Sequence, residues 1–167
     1  MLLTMLILCG HSSVAKIQSI SKNENLYSVL SSLGYTSSSG TQMTVLFVFA
    51  DWCDYCKGEM GTVTSLYSKY RSCGLEIVGV ALDTSDESLK KISKQYKINF
   101  PVVQDRLNLT RKKFHLKVLP HFIVLNKQGN LLTQFSGTKD SGDFYAAVRK
   151  TIEAKKCTAV TGKPESR

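Results

Sequence analysis

Cys53 and Cys56 stand three residues apart in "FADWCDYCKGEM", residues 49–60, where an apolar run stops and a charged, helix-like run begins. Two thiols at this spacing are a redox pair, half of a metal site, or chance neighbours. A metal knuckle needs a second pair of ligands. Cys73 and Cys157 are isolated, and His11, His115 and His121 are not at ligand spacing, so no metal is expected. Redox chemistry has a physical basis here. Cys53 falls at the end of a strand and in the first turn of the next helix, where unpaired backbone N–H groups favour an anion. A thiolate is an anion, so that position lowers the thiol pKa and makes Cys53 the expected nucleophile. Cys56 lies one turn deeper on the same helix face, within reach of a disulfide. It is the expected resolving thiol, the more buried of the two.

The elements that must position these thiols follow from periodicity. "TVLFVFA", residues 44–50, does not alternate and reads as a strand buried on both faces. A helix after Cys53 should run to Arg71, turn Met60, Val63, Tyr67 and Tyr70 inward, and stop at Gly74. "LEIVGVALD" is a second buried strand. Thr84 and Glu87 read as a capping box opening a helix with Leu89, Ile92 and Tyr96 on one face. "FPVVQD" is extended and "LNLTRKKFHLKV" a brief basic helix. "HFIVLNKQGNLLTQFSG" reads as two antiparallel strands around a glycine turn. A last helix from near Ser141 should bury Phe144, Val148 and Ile152 and end on Lys155 and Lys156. Ahead of all this, Ser21 and Glu24 form a capping box for a small helix over 22–33, and "TSSSGT", residues 36–41, reads as a flexible link. Strands alternating with helices, then a hairpin and a helix, imply an α/β fold: a central mixed sheet with helices on both faces. Reactive groups in such sheets collect at the carboxyl ends of the strands, where Cys53 sits.

Length, composition and charge narrow the function classes. The 167 residues suffice for one domain with a sizeable core, and 43% hydrophobic with 21% charged residues is an ordinary globular balance. The net charge of +9 reads as solubility rather than as a nucleic-acid surface. Arg106, Arg111, Lys112, Lys113 and Lys117 read as a solvated helix face, with attraction of acidic partners as the functional alternative. No stretch approaches the ~20 apolar residues of a membrane-spanning helix. Leu2 to Cys9 resembles the core of a secretory signal, and Ser13-Val14-Ala15 is a small-x-small cleavage site. The expected organisation is a signal segment over 1–15, a helical extension and linker over 16–41, the main domain over 42–156, and a disordered tail over 157–167. The expected location is periplasmic or otherwise extracytoplasmic, with a membrane anchor at the N-terminus as the alternative. Cleavage after Ala15 removes Cys9 and leaves four cysteines, an even number that suits an oxidising compartment. Cys73 and Cys157 each end a helix; they are expected as two free thiols, with a structural disulfide as the alternative.

"VFADWCDYC" followed by "KGEM" resembles the thioredoxin superfamily, specifically its TlpA/ResA-like thiol:disulfide oxidoreductases. The likeness continues through "YSKYRSCGLEIVGVALD", "KINFPVVQD" and "VLPHFIVLNKQGNLL". It implies a thioredoxin-like fold, a redox-active Cys53–Cys56 disulfide with no other cofactor, a cis Pro120 packed against the pair, and backbone pairing of Leu119 with the substrate chain. It further implies a glutamate, Glu59, near the thiols. Trp52, Asp54 and Tyr55 complete the expected supporting set, and Trp52, Leu119 and His121 the expected substrate contacts. Departures occur at Tyr55, where a proline is common, at Gly61 after Met60, and at His121 after the proline.

The expected function is exported dithiol–disulfide exchange on protein thiols, with an unidentified partner that resets the pair. The alternatives are a dithiol oxidase, a thioredoxin-fold binding or chaperone module, and a peroxiredoxin-type peroxidase, against which Ala50 stands where that chemistry places a threonine. Asp54 and Glu59 place two carboxylates near Cys53, against the helix terminus and Lys57. This balance predicts a thiolate of modest stability and therefore a reductant.

Overall fold

The computed structural model describes residues 27–154 and 157. The signal segment, the 21–24 capping box, His11, Lys155, Lys156 and the tail beyond Cys157 lie outside the described residues.

β1 (Met43–Ala50) is buried at all eight positions, and so is β2 (Leu75–Leu82). The sheet order β3-β2-β1-β4-β5 explains why neither strand alternates: both are interior and covered on both faces. β1, β2 and β3 (Val102–Asp105) run parallel. β4 (His121–Asn126) runs antiparallel to β1, and β5 (Leu131–Ser136) antiparallel to β4. Parallel neighbours need crossovers, supplied by α2 (Asp54–Tyr70) and α3 (Asp86–Gln95). Successive right-handed crossovers in one direction put both helices on the same face. The packing agrees: Met60 and Val63 of α2, Ile92 of α3, and Phe144, Val148 and Ile152 of α5 (Ser141–Glu153) share one core with Val45, Phe47 and Phe49. Leu30 of α1 (Tyr27–Ser32) and Phe114 of α4 (Leu109–Phe114) pack with Leu46 and Val48 on the other face.

The first core is knit by aromatic rings. Phe122 stacks on Phe144 with centroids 4.1 Å apart and on Phe47 at 5.3 Å. Gly79 of β2 fits because it has no side chain. A Cβ there would lie 3.1 Å from Phe100 Cε2 and Val102 Cγ2 and 3.2 Å from Phe49 Cε1. Gly74 ends the turn after α2 with φ +82°, and a Cβ would press on Gln42 Cγ at 2.7 Å. Its carbonyl takes the N–H of Gln42 at 2.8 Å, so the end of the expected link over 36–41 is held.

Several expectations change. Ser85, not Thr84, caps α3; its Oγ accepts from the N–H of Ser88 at 3.1 Å. Thr84 is taken up one residue earlier, donating to the Leu82 carbonyl and accepting from the N–H of Asp51. Leu66 is a buried residue of α2 and Tyr67 only partly so, since the stripe drifts along a helix of 17 residues. α1 is more than a preliminary element, because Leu30 is buried in the second core and the Tyr27 hydroxyl is 3.0 Å from Thr44 Oγ1.

Cys73 and Cys157 are paired, not free. α2 and α5 each follow a strand that ends on the Cys53 side, and each runs back along the same face. They finish side by side at the opposite end, where Tyr70 Oη donates to Glu153 Oε1 at 2.8 Å. The two cysteine Cα atoms are brought to 5.6 Å across 84 residues of chain.

Candidate active site

Cys53 is the N-cap of α2, in extended backbone (φ −87°, ψ 98°). β1 ends at Ala50 and the Cys53 N–H bonds back to the Ala50 carbonyl, so the strand turns into the helix in three residues. Cys53 Sγ accepts from the backbone N–H of Cys56 at 3.1 Å. The helix terminus thus aims a donor at the sulfur, which favours negative charge there. Cys53 and Cys56 form a disulfide with Cα atoms 5.3 Å apart. Cys53 retains 6% exposure and Cys56 none, the expected order of access.

A groove of about 540 Å³ opens on Cys53. Trp52, Asp54 and Tyr55 line one wall, and Leu116, Lys117, Val118 and Leu119 the other, with Arg111 beside them. Trp52 is 60% exposed and Tyr55 71%, so the apolar surface flanking the thiol is open to solvent. The Leu119–Pro120 bond is cis and Pro120 is buried, the bond geometry the resemblance implied. Neither the N–H nor the carbonyl of Leu119 bonds to another backbone group among the described residues.

The two carboxylates do not act together on Cys53. Asp54 is 91% exposed and meets Lys57 Nζ at 2.7 Å. That hydrogen bond raises the Lys57 pKa above the ordinary lysine value. Solvent and the lysine therefore screen Asp54. Glu59 faces α5 and accepts from Tyr145 Oη at 2.7 Å. Burial, then the Glu59 bond, push the Tyr145 phenol well above its usual range. The two-carboxylate basis for a reductant is corrected accordingly: one carboxylate is paired in water and the other is engaged by a tyrosine.

His121 is buried at 6% exposure, with Nε2 3.2 Å from Gln134 Oε1 and no hydrogen-bond partner at Nδ1 among the described residues. Strand alternation puts it on the face of Ile123 and Leu125, which pack in the second core. Burial drives its pKa below the ordinary histidine value, against the opposing pull of Gln134, the Val118 backbone and Asp140. The expected substrate contact is corrected to that extent: the ring lies inside.

Sequence reasoning gave Thr84 to a capping box and missed that it ties the loop after β1 to the loop after β2; it missed altogether Tyr145, which holds Glu59 across 86 residues. It noticed Arg111 and Lys117 but did not see that the α4 turn carries them to the groove. Among the described residues no group of three His, Cys, Asp or Glu could hold a metal ion. None of the described helices is long and apolar enough to cross a membrane.

A family model described as the AhpC/TSA family matches residues 29–134. The thiol-disulfide oxidoreductase ResA of Bacillus thuringiensis subsp. konkukian is 32% identical over 96 residues, 56% of this chain and 56% of that protein. The chain spans about half the length of the curated relatives it matches. A Chlorobium tepidum protein described as a thiol:disulfide interchange protein DsbE aligns over 74% of this chain and 84% of its own, with a TM-score of 0.63 at 22% identity. StoA from Bacillus subtilis aligns over 60% and 76%, with a TM-score of 0.53 at 27% identity. The mixed five-stranded sheet and these neighbours bear out the expected thioredoxin-like α/β fold.

Proposed function

We propose, from the premise that the chain belongs to the AhpC/TSA family, that it is a thiol:disulfide oxidoreductase acting on protein disulfides through Cys53 and Cys56. The observation that carries this is the pair itself: a disulfide at a helix N-terminus, with one sulfur hydrogen-bonded by the helix and reached from a groove. Residues 42–156 form the catalytic unit in this reading.

In the reduced protein the Cys53 thiolate attacks one sulfur of a substrate disulfide. A new S–S bond forms, the substrate bond breaks, and the leaving thiolate takes a proton. Cys56 then loses its proton and attacks Cys53 Sγ, releasing the second substrate thiol. Two electrons and two protons reach the substrate, and the protein is left with the Cys53–Cys56 disulfide. A dithiol reductant must return it to the starting state. Trp52 and Tyr55 supply an apolar platform, Pro120 shields the pair, and the unbonded Leu119 backbone pairs with the substrate chain.

We infer flow toward the substrate. A strong oxidant needs a heavily stabilised thiolate, and Lys57, the cation nearest in sequence on α2, is committed to Asp54. An extracytoplasmic location draws support from the second disulfide and from the apolar N-terminal segment. Insulin reduction by dithiothreitol, followed by turbidity, tests the activity. Wild type should accelerate precipitation and Cys53→Ser should not; equal traces with and without wild type would reject the assignment.

A further inference from the structure

The groove beside Cys53 carries charge of one sign on one side. Lys117 is exposed and has no acidic partner among the described residues. Arg111 is held only loosely, 3.7 Å from Asp83, with 38% of its side chain exposed. Asp54, the acid on the opposite wall, is already countered by Lys57 at 2.7 Å. The charge left without a close partner on the groove is therefore positive and lies on the wall next to Leu119, while Trp52 and Val118, 60% and 53% exposed, offer apolar surface. α4 fixes this arrangement. Asp105, fully buried, accepts from the N–H groups of Leu109 and Thr110 at 2.7 and 2.6 Å. The helix that carries Arg111 is thus anchored at its first turn to the end of β3. The buried Phe114 and Leu116 then hold the strap that presents Lys117.

We propose that Arg111 and Lys117 select the client: a polypeptide segment whose cysteine is flanked by Asp or Glu, with a bulky apolar residue seated against Trp52. The inference rests on the oxidoreductase reading and names the substrate class of that same groove. Opposite charges brought together across a partly exposed rim favour the matched partner in the encounter and in the mixed-disulfide geometry. The same rim repels a lysine-flanked segment, so discrimination has an attractive and a repulsive half.

Two reporter peptides test this. Each carries a disulfide-linked fluorophore and the same apolar residue; aspartates flank the cysteine in one and lysines in the other. Wild type, regenerated by dithiothreitol, should show a kcat/KM about tenfold higher for the acidic peptide at low salt, a ratio built from two rim charges. The ratio should fall toward one in molar salt. Arg111→Gln and Lys117→Gln should each lower it about threefold. Arg111→Glu with Lys117→Glu should reverse it. Lys127→Glu with Lys150→Glu, the same change in net charge at the far end of the sheet, should leave it in place. Equal turnover of both peptides by wild type would overturn this inference alone. An equal change of the ratio in the far-end variant would do so too, since the whole-molecule field would then be the cause. Turnover of neither peptide would overturn the oxidoreductase reading and this inference with it.

Discussion

Breaking the Cys73–Cys157 bond should cost the fold a large share of its stability without touching the redox pair. The bond closes a loop of 84 residues. In the chain-entropy description this restricts the unfolded chain by about 15 cal/mol/K, or about 4.5 kcal/mol at 25 °C. That value is a ceiling, because an unfolded chain retains some structure, and a loss of about 2–4.5 kcal/mol is expected. Tyr70 and Glu153 keep the two helix ends together in the native state, so the native geometry survives the substitution. The assay is equilibrium urea unfolding of wild type, Cys73→Ser, Cys157→Ser and the double variant, all with Cys53–Cys56 oxidised. At a slope of about 2 kcal/mol/M the midpoint should fall by about 1–2 M. Each single substitution should cost nearly as much as both together, because either one removes the whole bond. Additive singles, or a loss below about 1 kcal/mol, would refute the reasoning.

Two further outcomes follow from the core and from the strand after Pro120. Gly79→Ala should destabilise by about 1–3 kcal/mol, since its Cβ meets Phe100, Val102 and Phe49 at 3.1–3.2 Å inside a packed core; thermal unfolding reads this directly. His121 has a folded-state pKa below its ordinary value of about 6.5. Between the two values the unfolded chain binds more protons than the native one, so stability is full above about pH 6.5 and falls as the pH drops below it. His121→Gln should flatten that part of the stability–pH curve, and an unchanged slope would assign it to another group.

The fold was read correctly where burial dictates pattern. β1 and β2 are apolar at nearly every position because strands cover both edges and helices cover both faces. The final helix was found with Phe144, Val148 and Ile152 in place because its stripe is simple. What the sequence hid depends on contacts between distant residues. The Cys73–Cys157 bond stood only as the alternative to two free thiols, because it depends on two helix ends, 84 residues apart in sequence, finishing together. Asp54 and Glu59 looked like one acidic environment because they are close in sequence. A helix separates them, sending one to Lys57 in solvent and the other to Tyr145. His121 looked accessible because it follows the reactive loop, yet β5 supplies Gln134 to receive it inside. The basic run before Pro120 was seen as a helix face, and only the turn of α4 shows that two of its members line the groove.

The proposed exchange depends on a division of labour between the two thiols, and trapping measures that directly. Reduced Cys56→Ser, exposed to a disulfide-containing protein and then analysed by non-reducing peptide mapping, should accumulate a mixed disulfide at Cys53, which is the sulfur at the groove and at the head of α2. Cys53→Ser should accumulate none, because Cys56 is fully buried. A covalent complex through Cys56 in Cys53→Ser, with none through Cys53 in Cys56→Ser, would contradict the account.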